Sequence, residues 1–304
     1  MTIMKNELGK IVHIIPLGHE RERATVPFHE RTVDLVYLVI NGEYPEKYGE
    51  DNVMQRKQDI YTDLVFNDLQ EKNITVKIIR TDMFDLKILI NTLSKLIIME
   101  KENNSTIRIN MSASGRFASV AASIAGMAHD ISVYYVHSSG FSDNQGDLLK
   151  HGVSICPTDK IWIEEFPNYR FELPTETEIC ILEMLYKKSL EENKWANTKE
   201  LCDLLNKKYP NEYDKLPVFR DMDRNGLPDD DYQKLRKLQS KLLMKLNGSI
   251  MRKLVVKKYA DRNDPKESSV KYKITPSGEY ALHLSGFGEP LKIENYKKPD
   301  SLLI

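Results

Sequence analysis

Cysteine is scarce in this chain of 304 residues, which contains only Cys156, Cys180 and Cys202. They form no Cys-x-x-Cys pair and have no histidine at metal spacing, so neither a disulfide framework nor a zinc site is predicted. Long apolar runs are also missing, since no stretch of about 18 apolar residues could span a bilayer. The opening residues MTIMKNELGK lack the apolar core of a secretory signal. These absences predict a soluble, cytoplasmic protein with no metal, no cofactor and no membrane partner.

The glycine-rich motifs of common nucleotide sites are absent too. After the first predicted strand, the G-x-G-x-x-G fingerprint keeps only Gly18, and charged residues occupy its later glycine positions. No P-loop motif occurs in the chain. Glu43, near the end of the second predicted strand, is a weak match to the ribose-binding acid of dinucleotide enzymes. A nicotinamide enzyme is therefore a less favoured class, and it would predict a thermal shift with NAD.

What the first half does contain is a repeated alternation of strands and helices. Runs rich in β-branched residues are separated by amphipathic patterns such as NVMQRKQDIYTDLVFNDLQEKN. Repeated βα units predict an α/β fold with a parallel, Rossmann-like doubly wound sheet and helices on both faces. The predicted strands are residues 11–17, 32–41, 75–82, 106–112 and 131–138.

Two unusual loops follow the first and fourth predicted strands. In doubly wound sheets the ligand lies where the strand order reverses, which in the commonest order falls between these two strands. The stretch INMSASGRFASVAASIAGMAHD (109–130) offers small residues that let backbone approach a ligand, serine hydroxyls, a helix N-terminus and Arg116. This chemistry predicts an anion site suited to phosphate. The alternative is a plain N-cap before an alanine-rich helix that packs closely on the sheet.

The segments IVHIIPLGHERERATVPF, DLVYLVING, RTDMFDL and NMSASGRFASVAASIAGMAHDISVYYVHS resemble, in order and spacing, the CRISPR-associated Rossmann fold (CARF) regulators of archaea. The resemblance covers about the first 165 residues and is closest to the branch that carries a C-terminal winged helix-turn-helix domain. It implies a homodimer whose two Rossmann-like domains share one pocket across a two-fold axis. It also implies that this pocket binds a cyclic oligoadenylate or a related nucleotide messenger.

Carried over to this sequence, the resemblance assigns ligand binding to both loops and assigns no catalytic residue. Relatives usually read close to Asn-Val-Ser-Thr-Gly-Ser-Lys in the second loop and carry an apolar aromatic residue in place of His19. These departures affect the identity of the ligand more than phosphate binding. Some relatives cleave the messenger by aligning its own 2′-hydroxyl, so a metal-independent ring nuclease is the alternative function. The predicted ligand-binding residues are Gly18, His19, Glu20, Arg21, Asn110, Ser112, Ala113, Ser114, Gly115 and Arg116.

Charge is distributed unevenly along the chain. Residues 1–174 carry 19 Lys and Arg against 24 Asp and Glu, whereas residues 175–304 carry 25 against 21. Residues 232–275 alone hold 13 basic and 3 acidic residues. Such a patch suits the phosphates of nucleic acid, although solvated helix faces have the same composition.

The second half is predicted to be a separate domain, residues 175–304, joined by a linker of residues 166–174 to a first domain of residues 1–165. Capping boxes at TETE and NTKE begin two helices, and a third, long helix follows DDD. LVVKKY and SVKYKI read as the two strands of a hairpin, which precedes a final helix. This order is typical of a winged helix-turn-helix domain, whose third helix enters the major groove while the wing contacts phosphate.

The predicted third helix has a leucine-rich face and a basic face, and double-stranded DNA is its predicted partner. A rival interpretation makes the leucine-rich face a dimer seam and the basic face merely solvated. Together the two halves predict a ligand-responsive transcriptional regulator that binds a palindromic operator as a homodimer. The apolar face contains Leu235, Leu238, Leu242, Leu246, Ile250 and Leu254. The predicted DNA contacts are Lys241, Lys245, Ser249, Arg252, Lys257, Lys258, Arg262, Lys266 and Lys271.

Overall fold

Two units make up the protein in the computed structural model. The first unit contains Met1–Glu172 and Gly286–Ile304, and the second contains Leu173–Ser285. No helix in the described part of the chain is long and apolar enough to cross a membrane. The structure describes residues 9–28, 33–42, 53–138, 161–167, 169, 171–191, 194–208, 229–264 and 269–298.

The first unit is built on one mostly parallel sheet. Its strand order is β10-β3-β2-β1-β4-β5-β6, in which the five central strands are parallel and the two edge strands are antiparallel to their neighbours. The order 3-2-1-4-5 confirms the predicted α/β fold with a doubly wound, Rossmann-like sheet, and it reverses between β1 and β4. The strands are β1 (Ile11–Pro16), β2 (Leu35–Asn41), β3 (Thr75–Thr81), β4 (Thr106–Asn110), β5 (Ser132–Ser138), β6 (Ile161–Phe166) and β10 (Glu294–Asn295).

Helices cover this sheet and bury its central strands. Helix α1 packs against α2, and α3 packs against α4. All seven residues of β2 are buried, as are all but the first residue of β1. Continuous apolar runs such as LVYLVI are typical of parallel strands covered on both faces. The helices are α1 (Arg21–Thr25), α2 (Val53–Glu71), α3 (Leu86–Glu102) and α4 (Arg116–His129).

Small residues let α4 lie close to the sheet. Ala121, Ala122 and Ala125 are fully buried. A Cβ atom placed on Gly126 would lie only 2.1 Å from Cγ2 of Val133 on β5. Helix α4 is therefore packed closely on the sheet, as the alternative interpretation of this stretch predicted.

Replacing Gly126 with alanine should lower the free energy of unfolding by up to about 2 kcal/mol. The overlap with Val133 costs about 1–3 kcal/mol as overpacking, and the better helix propensity of alanine returns only about 1 kcal/mol. Calorimetric unfolding of both proteins measures the change. Gly248→Ala is the matched control, because a Cβ there meets nothing within 4 Å; equal destabilisation by both variants would contradict the packing argument.

The end of the chain returns to the first unit, which differs from the predicted single domain of residues 175–304. Strand β10 pairs with β3, with Glu294 opposite Ile78 and Asn295 opposite Lys77. The pairing satisfies backbone groups on the outer side of β3, which a five-stranded parallel sheet would leave open. Two residues carry no periodic sequence signal, so the strand could not be seen in the sequence.

The second unit contains helices around a three-stranded antiparallel sheet of order β7-β9-β8. The capping box of Thr175 and Glu178 is present, and Asn197 and Glu200 exchange the same pair of hydrogen bonds. Both predicted helix starts are thus confirmed. The elements are α5 (Glu176–Ser189), β7 (Ala196–Asn197), α6 (Thr198–Lys208), α7 (Asp229–Lys245), α8 (Arg252–Val256), β8 (Ala260–Arg262), β9 (Lys271–Ile274) and α9 (Pro276–Leu284).

A π-helical turn, Leu246–Met251, joins α7 to α8 and shifts the buried face by one residue. Leu246 and Leu254 are buried as predicted, but Met251 is fully buried in place of Ile250, which is only partly buried. The predicted stripe assumed uniform α-helical winding, whereas a π turn accommodates a five-residue step. The side chains of Leu235 and Leu238 lie outside the described part of the structure.

The first strand of the predicted hairpin begins later than LVVKKY. Leu254 to Val256 belong to α8, and the helix gives way at Lys258, whose φ of 59° is left-handed. Strand β8 starts only at Ala260. A run of apolar and β-branched residues has the same composition at the end of a helix as in a strand, so composition does not distinguish the two. In the structure Leu254 is buried as part of α8.

Candidate functional site

The loops after β1 and β4 meet at the carboxyl end of the sheet. The backbone N–H of Gly18 donates to the carbonyl of Ala113 at 2.8 Å. A Cβ on Gly18 would lie 3.1 Å from Ser114 Oγ and 3.2 Å from Ser114 Cα. Gly18, the one glycine kept from the G-x-G-x-x-G fingerprint, therefore permits the two loops to approach each other closely.

A cleft of about 350 Å³ opens beside this contact. Six of the ten predicted ligand-binding residues line it. They are all residues of the first loop except Arg21, and the last three residues of the second loop. The structure thus brings together the two loops on which the predicted anion site depends. The predicted residues that line the cleft are Gly18, His19, Glu20, Ser114, Gly115 and Arg116.

Helix α4 presents its N-terminus to the cleft. Its N-cap residue, Gly115, makes no side-chain capping bond, so the N–H groups of the first turn are not satisfied by a cap. Arg116 is exposed and makes no ion pair or hydrogen bond with any residue that the structure describes. A helix N-terminus with a guanidinium beside it favours a negatively charged ligand.

Three predicted ligand residues lie beneath the loop instead. Ser112 donates from both its backbone N–H, at 2.9 Å, and its hydroxyl, at 2.6 Å, to Asn110 Oδ1. The Asn110 amide donates in turn to the carbonyl of Arg23 at 2.8 Å. Asn110, Ser112 and Ala113 are all essentially inaccessible to solvent. They shape the loop by internal hydrogen bonds, which sequence spacing alone does not distinguish from ligand contacts.

Arg21 also differs from its predicted place. Its guanidinium makes a bidentate pair with Asp68 on α2, with Nε–Oδ2 and Nη2–Oδ1 distances of 2.8 and 2.7 Å. The pair joins α1 to α2 outside the cleft. Asp68 lies 47 positions further along the chain, so no local pattern reveals it.

His19 is the one imidazole in the cleft lining. Its ring lies 5.1 Å from that of Tyr61, and its Nε2 is buried without a hydrogen-bond partner among the described residues. Burial lowers the pKa of His19, and the charge of Lys57 lowers it further. A neutral imidazole has one acceptor nitrogen, so His19 can accept a hydrogen bond from a ligand.

The lowered pKa predicts that His19 makes stability depend on pH. The unfolded chain binds the proton near pH 6.5, whereas the folded protein resists it. The free energy of unfolding should therefore fall as the pH drops below 6.5, until the pH reaches the lower folded pKa. Urea unfolding at pH 5 to 7.5 should show this loss in the wild type and a flatter profile in His19→Gln. Parallel profiles would contradict the role of His19.

Glu20 places a carboxylate at the same cleft. Burial raises its pKa, and Arg23, whose Nε lies 3.7 Å from Glu20 Oε2, partly offsets that rise. A carboxylate beside an anion site is suited to accept hydrogen bonds from sugar hydroxyls rather than to contact phosphate.

The other wall of the cleft was not predicted from sequence. It comes from the end of β2, the start of α2, the exit of β3 and the first turn of α4. Its apolar and amide side chains are suited to a flat base rather than to phosphate. The segment RTDMFDL contained a signal, because its apolar Met83 and Phe84 follow a strand. Glu43 lies outside the described residues. The unpredicted lining residues are Asn41, Met54, Gln58, Met83, Phe84, Phe117 and Ala118.

Most predicted DNA-contact residues in the second unit are exposed. Lys257 is an exception, since its ammonium lies 3.9 Å from the buried carboxylate of Glu178. Lys271 is partly buried, and Lys266 lies outside the described residues. The exposed positions are Lys241, Lys245, Ser249, Arg252, Lys258 and Arg262.

Within the described residues outside the cleft, the groups that could form a metal or thiol site are histidine, cysteine and carboxylate side chains. Across the ranges that the structure describes, no three His, Cys, Asp or Glu side chains are grouped to hold a metal ion. Cys180 and Cys202 are buried free thiols, and burial raises the pKa of Cys202 to about 12. A thiol with so high a pKa is a poor nucleophile.

Comparison with known proteins gives one family match, which covers the five parallel strands of the first unit. The family model described as "HFX_2341_N:-like, N-terminal" matches residues 11–140, from β1 to just beyond β5. Among curated proteins, none matches the chain in sequence.

Several solved structures are similar at low identity. Protein VC1899 from Vibrio cholerae is 13% identical with a TM-score of 0.35, and the match covers 91% of this chain and 66% of that one. Csm6 from Enterococcus italicus, bound to cyclic hexa-2'-fluoro-hexa-dAMP, is 10% identical with a TM-score of 0.36 and coverages of 82% and 57%. Can2 from Sulfobacillus thermosulfidooxidans, in complex with cyclic tetra-adenylate, is 12% identical with a TM-score of 0.32 and coverages of 90% and 64%. The chain thus spans 57–66% of the length of these three proteins.

Proposed function

We propose that the cleft of the first unit binds a cyclic oligoadenylate or a related nucleotide messenger. The observation that carries the proposal is the meeting of the β1 and β4 loops where the strand order reverses. There the uncapped N-terminus of α4 and Arg116 are suited to phosphate. Met54, Met83 and Phe84 on the opposite wall are suited to a base. A site with both features fits a nucleotide better than a free inorganic anion.

We further propose that the messenger binds between two copies of the chain. Apolar side chains in the cleft lining and on the adjoining first two turns of α3 and α4 are between 39% and 57% exposed. A second copy related by a two-fold axis would cover this rim and present an identical cleft, as a ring-shaped ligand requires. The rim consists of Phe84, Ile88, Phe117 and Val120.

The second unit is proposed to be a winged helix-turn-helix domain that binds double-stranded DNA. Its element order, helix, strand, helix, long helix and two antiparallel strands, supports this assignment. The exposed residues Lys241, Lys245 and Arg252 give the long helix a basic face suited to the major groove. Leu242 and Leu246 are buried within the chain itself, which favours this proposal over a dimer seam along that helix.

The two activities together define a ligand-responsive transcriptional regulator. Binding of the messenger can change DNA affinity only to the extent that it favours one arrangement of the protein over another. The proposed regulator therefore has two arrangements that differ in affinity for both ligands.

Titration calorimetry of the purified protein with cyclic tetra-adenylate, the ligand held by Can2, tests the proposal. We expect one ring to bind per two chains, and sedimentation to report a dimer. Linear tetra-adenylate and NAD are the comparison ligands. Binding of NAD alone would favour a nicotinamide enzyme, and binding of none of the three would overturn the proposed messenger class.

Ring-nuclease activity is a second candidate, favoured by the imidazole of His19, which lines the cleft and whose pKa is lowered by burial. A neutral imidazole there accepts the proton of a ribose 2′-hydroxyl as the 2′-oxygen bonds to the adjacent phosphorus and the P–O5′ bond breaks, while Arg116 stabilises the developing charge. The imidazolium then gives the same proton to the leaving 5′-oxygen, which leaves a linear product ending in a 2′,3′-cyclic phosphate. Chromatography of cyclic tetra-adenylate after incubation with the protein separates the candidates. Linear products formed by the wild type and absent with His19→Gln would support the nuclease; an intact ring would support a pure sensor.

A further inference from the structure

The chain leaves the first unit after residue 172, forms the whole second unit, and returns at residue 286. We infer that residues 286–298, here called the return segment, hold the helices of the cleft and transmit its occupancy to the second unit. This inference rests on the proposed function, because it assigns a regulatory role to the same cleft.

The return segment is fixed to α2 by Tyr296. The phenol hydroxyl of Tyr296 donates to Asp63 Oδ1 at 2.8 Å, and its ring stacks on Phe66 with 4.2 Å between centroids. The first two turns of the same helix contain Met54 and Gln58, which line the cleft. Gln58 also donates to the carbonyl of Leu17 at 3.1 Å, directly before the β1 loop. Helix α2 therefore connects the return segment to the cleft.

Helix α3 is held by the first part of the same segment. The Asn91 amide donates to the carbonyl of Phe287 at 3.2 Å, and Lys95 Nζ donates to the carbonyl of Glu289 at 2.6 Å. Gly286 makes this approach possible: its φ is +70°, and a Cβ there would lie 2.9 Å from Ile98 Cδ1. Helix α3 follows directly after Met83 and Phe84 on the cleft wall.

Pairing with the sheet completes the attachment. Glu294 and Asn295 form strand β10 beside β3, and Glu294 Oε2 lies 3.5 Å from Arg80 Nε. On the other side of the segment, α9 ends at Leu284, two residues before Gly286. A displacement of α2 or α3 on ligand binding would therefore reach α9 through covalently continuous chain.

Hydrogen exchange tests the positioning role without any ligand. In Tyr296→Ala, amides of residues 53–62 should exchange roughly tenfold faster than in the wild type, because α2 loses a stacked ring and a hydrogen bond. Tyr296→Phe, which keeps the ring, should show a smaller change and covers the case in which Tyr296→Ala does not fold. Lys298→Ala, an exposed position of the same segment, is the control and should change nothing. Unchanged exchange at residues 53–62 in both tyrosine variants would overturn the inference.

DNA binding tests the transmission. The ratio of DNA affinities with and without cyclic tetra-adenylate should differ from one in the wild type and approach one in Tyr296→Ala. The affinity for cyclic tetra-adenylate itself should stay within about threefold, since Tyr296 does not line the cleft. A wild-type ratio retained in Tyr296→Ala would overturn the inference. A wild type that binds no cyclic tetra-adenylate would count against the proposed function instead, and hydrogen exchange would then decide the inference alone.

Discussion

Replacing Arg116 with alanine should weaken nucleotide binding roughly tenfold to a hundredfold, the largest effect expected of any single change in the cleft. A charge-assisted hydrogen bond contributes about 1.5–3 kcal/mol, and each 1.4 kcal/mol is about a tenfold change in affinity. Arg116 has no partner among the described residues, so the substitution removes no internal contact that they make. Calorimetry with cyclic tetra-adenylate measures the loss, and thermal unfolding should stay close to that of the wild type.

Arg108→Ala provides the matched control for Arg116→Ala. Arg108 lies on β4, the strand that precedes the loop of Arg116, but its Nη1 donates to Glu165 Oε1 at 2.7 Å and it does not line the cleft. Removing its charge should leave nucleotide affinity within about twofold. Equal losses in the two variants would mean that net charge, and not the position of Arg116, governs binding.

Substituting both Lys241 and Lys245 with alanine should weaken DNA binding by roughly tenfold or more and flatten its dependence on salt. Each phosphate contact contributes about 0.9 to the slope of log affinity against log salt concentration, so the slope should fall by about 2. Both lysines are exposed on α7. Fluorescence anisotropy with a duplex at several salt concentrations measures both quantities.

The control for the DNA prediction is a second pair of exposed lysines in the same unit, Lys187 and Lys194. Lys187 lies on α5, the first helix of the proposed winged domain, which is not the helix that enters the groove. The double variant Lys187→Ala with Lys194→Ala has the same net charge as the double variant Lys241→Ala with Lys245→Ala. An unchanged salt slope in the Lys241 and Lys245 variant, or an equal change in both, would favour a merely solvated basic face.

The sheet could be predicted because its pattern is local. Each parallel strand is a run of five to seven residues rich in β-branched and aromatic side chains, and β2 is buried along its whole length. The capping box at the start of α5 was equally visible, because its two residues, Thr175 and Glu178, are only three positions apart. Strand β10 was not visible, because two residues carry no period and their partner strand lies more than two hundred positions earlier.

Half of the candidate site was predictable for a related reason. Glycine, small residues and an arginine after two strands identify loops that approach a ligand, and Gly18, Gly115 and Arg116 do line the cleft. Spacing could not separate side chains that face the cleft from those that bond beneath it, such as Ser112. The opposite wall depends on the start of α2, the exit of β3 and the first turn of α4 meeting at the end of the sheet, which is a tertiary outcome.

The π turn between α7 and α8 means that this long helix contains one residue more than uniform winding requires. Loss of one residue elsewhere in a helix rotates everything beyond it by about 100°. At Gly248, which is exposed and where an added Cβ would meet nothing within 4 Å, the same loss would leave Leu246 and Met251 four positions apart, the spacing of an ordinary helical face. The proposed DNA-reading helix can therefore change in length at this point during evolution while its core contacts stay in register.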